Sequence, residues 1–116
     1  MSFRNLTRYS VIAGALLAAA LSAAPARAVD AAAADALARQ NGCLKCHAVD
    51  KQKEGPSFKE TAAKYKGKSG AEQRLVTHIT TGEKAKFPDG HEEEHKIIKT
   101  KDMNEIKNLV GWILSQ

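Results

Sequence analysis

Cys43-Leu44-Lys45-Cys46-His47 is the stretch of this chain best equipped for chemistry. Two thiols three residues apart, followed at once by an imidazole, form C-x-x-C-H, the pattern of covalent haem attachment. The spacing has a mechanical reason. On a helix, positions three and four apart share a face. Cys43 and Cys46 can then reach the two vinyl edges of one porphyrin and form thioethers, while His47 points under the ring and offers its imidazole to the iron. A bare C-x-x-C also serves as a redox disulfide or as half a zinc site. The first wants a βαβ pattern around it, and none is visible. The second wants another close pair of ligands. The chain has no third cysteine, although it has three more histidines. One covalently bound haem c is therefore the expected cofactor, held through Cys43 and Cys46.

A second motif competes for attention. His91-Glu92-Glu93-Glu94-His95 matches H-E-x-x-H, which on a helix puts two imidazoles on one face to bind zinc, with Glu92 as general base. The match is short, no third ligand is evident, and a small domain leaves little room for a substrate cleft. The plainer reading is a solvated acidic face with an exposed His91, and weak binding of a surface transition metal there is a lesser alternative.

The elements that must position these residues read as helices. Val29 to Gln40 is alanine-rich and amphipathic, and Asn41-Gly42 supplies a stop just before the haem motif. Gly55-Pro56-Ser57 breaks the chain. Phe58 to Tyr65 and Ala71 to Thr80 read as two further helices, the latter with Leu75, Val76 and Ile79 inward. Lys84 to Gly90 is a polar loop, and His91 to Lys99 is polar with at most one or two helical turns. Asp102-Met103-Asn104-Glu105 is a capping-box sequence. Behind it Ile106, Leu109, Val110, Ile113 and Leu114 recur at helical spacing beside Trp112. No strand, repeat or low-complexity tract beyond the alanines is evident.

Residues 1–28 read as an export signal. Arg4 and Arg8 form a positive start, Val11 to Leu21 an apolar run, and Ala26-Arg27-Ala28 a small-x-small cleavage site. The apolar run is shorter than the roughly 20 residues that span a bilayer. The expected product is a periplasmic protein starting at Val29, with no stable membrane anchor. Three of the 18 basic residues and none of the 13 acids fall in the signal. The remainder therefore carries 15 basic and 13 acidic side chains, close to neutral. With no dense basic stripe left, nucleic acid is not an expected partner. The 88 residues that remain of 116 make one small domain whose own core would be thin. A large, flat, apolar cofactor would complete it.

Taken together, the chain resembles a bacterial class I cytochrome c of the short, cytochrome c-551-like type. The resemblance is carried by Gln40-Asn41-Gly42-Cys43-Leu44-Lys45-Cys46-His47-Ala48-Val49-Asp50, then Gly55-Pro56-Ser57-Phe58-Lys59, Ala62-Ala63-Lys64-Tyr65 and Trp112-Ile113-Leu114-Ser115. It implies an all-α fold of four to five helices over residues 29–116, with the first and last helices crossing beside the haem. It implies that the Pro56 carbonyl accepts the Nδ1–H of His47, and that Trp112 packs on the first helix where small residues such as Gly42 allow close approach. It also implies a monomer that carries electrons and is not an enzyme.

One departure stands out. The family's second axial ligand is a methionine some sixteen or seventeen residues before the aromatic of the last helix. Counting back from Trp112 reaches His95 instead. Met103 lies only nine residues before Trp112, in the first turn of a capped helix. Ligation by His47 and His95 is thus expected, with His91, Met103 or an easily vacated position as alternatives. By analogy, His78 would contact a haem propionate, or be a partly exposed helix histidine. The expected role is low-potential electron transfer to redox partners with acidic docking surfaces, steered by lysines such as Lys45, Lys51, Lys53, Lys59, Lys84, Lys86, Lys96 and Lys99. A haem sensor with a displaceable sixth ligand is the alternative.

Overall fold

The computed structural model describes residues 28–116. The expected export segment, apart from its last residue, lies outside the described residues. Four helices carry the fold: α1 (Ala31–Gln40), α2 (Phe58–Tyr65), α3 (Ala71–Thr80) and α4 (Met103–Leu114). Between α3 and α4 runs a two-stranded antiparallel hairpin, β1 (Lys84–Lys86) and β2 (Glu92–Glu94). Among the described residues no helix is long and apolar enough to cross a membrane.

α1 begins where Asp30 accepts the Ala33 amide at 3.0 Å, covering one donor that the first turn leaves open. Ala34, Leu37 and Ala38 follow at helical spacing and are buried. The helix stops because Gly42 takes a left-handed φ of 67°, a conformation that costs glycine little. α1 packs against α4. A reciprocal pair of hydrogen bonds pins the crossing: Asp30 N–H to Asn108 Oδ1 and Asn108 Nδ2 to Asp30 O, both 2.8 Å. Close approach comes from Ala34 and Ala38, both fully buried, and from Gly111, where a Cβ would lie 3.1 Å from Val29. Gly42, expected to serve this purpose, instead faces Lys96 and Lys45.

Two capping assignments change. Asp102 caps α4 by accepting from Asn104 N at 2.9 Å, but Glu105 does not complete the box. Its carboxylate takes the Thr100 hydroxyl at 2.6 Å, a partner near enough to outcompete the cap. The complete box belongs to α2. There Glu60 N–H donates to Ser57 Oγ at 3.0 Å and Ser57 N–H donates to Glu60 Oε2 at 2.8 Å.

The hairpin was not anticipated, and it replaces the helical turns expected in His91 to Lys99. It pairs Lys84 with Glu94, Ala85 with Glu93 and Lys86 with Glu92. Opposite charges across strands favour that register. The pairing leaves no period in the sequence because neither strand buries a face. Pro88-Asp89-Gly90 makes the turn, closed by Gly90 N–H to Phe87 O and Phe87 N–H to His91 O, each 2.9 Å.

The core gathers Leu37, Phe58, Leu75, Ile98, Ile106, Leu109, Val110 and Trp112. It forms a thin shell backing a large cavity, which the hairpin and the chain after it flank on the other side.

Candidate functional site

The cavity has a volume of about 850 Å³. Cys43, Cys46, His47 and Pro56 line one part of it, His78, Glu83 and His95 another, with Phe58, Leu75, Ile79, Leu109, Val110 and Ile113 as apolar wall.

The thiols and His47 arrive on a 3-10 turn, Cys43–Lys45, and not on an α-helix. Gly42 reverses the backbone as α1 ends, so the motif starts afresh. His47 N–H and Cys46 N–H both reach back to Cys43 O, at 2.9 and 3.2 Å. Burial raises the Cys43 thiol above its ordinary pKa. Burial and the Glu54 carboxylate, which accepts from Cys46 Sγ at 3.5 Å, raise that of Cys46.

His47 is clamped on three sides. Its Nδ1 lies 2.7 Å from the Pro56 carbonyl. A carbonyl only accepts, so Nδ1 carries the proton and Nε2 presents a lone pair. Phe58 stacks on the ring at 5.5 Å. Gly55 lies so close that a Cβ there would sit 2.4 Å from His47 Cε1. In the sequence Gly55 shows only as a chain breaker before Pro56, and nothing local signals its contact with the His47 ring.

Across the cavity stands His95, its ring centre 6.3 Å from that of His47. Its Nδ1 donates to Lys96 O at 2.9 Å, again leaving Nε2 with a lone pair. Burial lowers its pKa, and nearby His78 and His47 act in the same direction. The imidazole is thus held neutral, the form that binds a metal. His78 packs on His95 with ring centres 4.0 Å apart. Its Nδ1 donates to Glu83 Oε1 at 2.6 Å, and Arg74 holds the same oxygen at 2.7 Å. So held, Glu83 has a pKa below the usual carboxylate value.

The other residues singled out lie elsewhere. Met103 is the first residue of α4, exposed and absent from the cavity wall. His91 stacks on Phe87 at 4.4 Å and binds Asp89 and, at 3.2 Å, Glu93. His91 and His95 flank β2 instead of sharing a helix face, and among the described residues no group of three or more His, Cys, Asp or Glu is placed to hold a metal ion. Lys45, Lys51, Lys53, Lys59, Lys84, Lys86, Lys96 and Lys99 are all exposed. Lys53 is engaged, donating to Leu44 O at 2.7 Å. Lys64, Lys84, Lys86 and Lys96 border the cavity, interspersed with Glu54, Glu60, Glu93 and Glu94.

Two thiols beside an imidazole on one wall, with an apolar slot between, fit a covalently attached haem. Comparison with known proteins agrees. The cytochrome c family model matches residues 31–116. Cytochrome c-551 of Allochromatium vinosum is 36% identical over 78 residues, covering 67% of this chain and 80% of its own. Cytochrome c-551 of Pseudomonas aeruginosa is 32% identical over 80 residues, covering 69% and 73%. The crystal structure of the class 1 cytochrome MtoD from Sideroxydans lithotrophicus ES-1 superposes with a TM-score of 0.73 at 63% identity, covering 76% of this chain and 97% of that one. The chain belongs to the cytochrome c family as a bacterial class I member, an electron-transfer protein with one covalently attached haem c and no enzymatic role.

Proposed function

We propose that this cytochrome is a periplasmic electron carrier whose iron is ligated by His47 and His95. Residues 1–28 would be its export signal, cleaved near Ala28/Val29, and residues 29–116 its cytochrome c domain, a monomer. The observation that supports the ligand assignment is the spacing of the two imidazoles that line the cavity. A metal–imidazole bond is about 2 Å long, and the imidazole ring itself, built of bonds of ~1.33 Å, has a radius of about 1.1 Å. Two imidazoles that share one iron from opposite sides would therefore have centres roughly 6.2 Å apart, against 6.3 Å here. Both rings have Nδ1 tied to a main-chain carbonyl, which sets the tautomer and strengthens the donor at Nε2.

Haem supplies a one-electron Fe(III)/Fe(II) couple when bound. The protein's part is to hold two imidazoles in fixed orientation by their Nδ1 atoms and to keep water from the site with the wall from Phe58 to Ile113. Ligands that do not move on electron uptake keep reorganisation small. A methionine ligand raises the potential, so imidazole in its place would lower it, by on the order of a hundred millivolts within the ~0.8 V that axial ligands span. Exposed Lys64, Lys84, Lys86 and Lys96 at the cavity rim support docking to an acidic redox partner, which strong salt dependence of transfer would reveal.

The decisive experiment is His95→Ala in the haem-loaded protein. The wild type should give sharp low-spin bands, no methionine-to-ferric-iron band and no response to carbon monoxide, with a potential below that of methionine-ligated relatives. The variant should turn high-spin and bind the gas. A variant with the wild-type spectrum would remove His95 as ligand. A wild type that binds carbon monoxide readily would favour a sensor with a vacated sixth position.

A further inference from the structure

The cavity lies between two stretches of chain. Residues 30–66 carry the thiols and His47, and residues 83–101 carry His95. The second stretch is fastened to α3 through Ile98 N–H, which donates to Ile79 O at 2.9 Å, and folds on itself through His95 N–H to Glu83 O at 2.9 Å. Among the described residues a single hydrogen bond joins it to the first stretch. Lys99 N–H donates to Asn41 Oδ1 at 2.9 Å, across 58 positions of sequence.

Asn41 is 5% exposed. Its Nδ2 donates to Leu37 O at 2.9 Å, so the amide can point only one way and is committed at both ends. Ending α1 needs nothing of an Asn41 side chain, since Gly42 supplies the reversal. A buried amide is costly without partners, and these partners lie one on α1 and one on the far wall. Lys99 is four residues from His95, and Asn41 is two residues from Cys43.

We propose that Asn41 is a positioning residue for the sixth iron ligand: its buried amide bolts the segment carrying His95 to the helix that leads into the haem-attachment motif, and the distal imidazole leaves the iron chiefly when this bond opens. The inference rests on His95 being that ligand.

The test uses the ferric holoprotein. Cyanide binds only to a vacated sixth position, so its association rate reports how often the distal ligand leaves. Exchange of the Lys99 amide hydrogen reports the bolt itself, whatever the ligand. Asn41→Leu keeps the volume and removes the acceptor. It should speed both processes about tenfold, equivalent to about 1.4 kcal/mol. Asn41→Asp keeps an oxygen facing Lys99 N–H while losing the donor to Leu37 O, so it should be less stable than the wild type yet stay closer to it than Asn41→Leu in both rates. A merely structural role would lower the stability of both variants without separating their cyanide rates. If Asn41→Leu fails to fold, Asn41→Asp and the wild-type Lys99 amide still decide, because an unprotected amide there overturns the proposal. Unchanged rates in Asn41→Leu overturn it too. Faster exchange without faster cyanide binding also overturns it, and His95→Ala then locates the fault. A native spectrum in His95→Ala blames the ligand assignment, and a lost one blames Asn41.

Discussion

Gly55 and Phe58 hold His47 between them, and neither bonds to it. The stack on Phe58 closes one face, and Gly55 presses on the ring edge. In Gly55→Ala the new Cβ would stand 2.4 to 3.0 Å from three ring atoms. The ring must tilt off the Pro56 carbonyl or the loop must lift. Overpacking of this kind costs about 1–3 kcal/mol. The expected outcome is a lower melting temperature and a mixed-spin ferric spectrum; a variant unchanged in both would mean that the ring moves aside freely. His91 offers a separate test at the hairpin tip. Asp89 and Glu93 raise its pKa. The stabilisation from the charged pair is complete below the ordinary histidine value of about 6.5 and is lost as pH rises through the raised value. An NMR titration of the ring should run above the ordinary value, and Asp89→Asn should bring it down. An unshifted wild-type titration would deny the pair.

Among the elements, α2 does most for its length. Its eight residues are too few to be helical alone, so the cap and the packing must hold them. Ser57 and Glu60 satisfy two amides reciprocally. Phe58, next in line, meets His47 on one side and the edge of Trp112 at 5.6 Å on the other. Loss of the cap in Ser57→Ala should therefore cost about 1 kcal/mol, read as a lower denaturation midpoint. The haem bands should soften with it, because Phe58 is the first residue of the frayed turn. An unchanged midpoint would mean that packing alone keeps α2 in place. The hairpin contributes differently. It buries little, yet Glu83 at its base accepts the His95 amide and holds His78 and Arg74.

For the whole molecule the cofactor is the missing core. A small domain has only about 5–15 kcal/mol of stability. The apolar side chains that line the 850 Å³ cavity have no protein atoms to pack against on its inner side, so the shell forgoes the contacts that would hold it together. The chain without haem should collapse or unfold. Cys43→Ser/Cys46→Ser protein prepared without cofactor should show much less helical circular dichroism than the holoprotein and no cooperative thermal transition. A sharp transition would mean that the shell around Leu109 and Val110 stands unaided.

The sequence by itself determined the attachment chemistry and the four helices. Thiols three apart before a histidine, and alanines and leucines at helical spacing, are all local features. What only the tertiary structure decided is what depends on partners far apart in the chain. No period announces the hairpin, since its pairs lie six to ten residues apart and bury nothing. Glu60 and Glu105 each follow a capping residue by three, and only the neighbouring Thr100 hydroxyl diverts the second. Gly55 matters through a ring eight residues away, and Asn41 through an amide 58 residues away. Those distances close only when the helices pack, because contacts across a fold answer to geometry that local sequence does not encode.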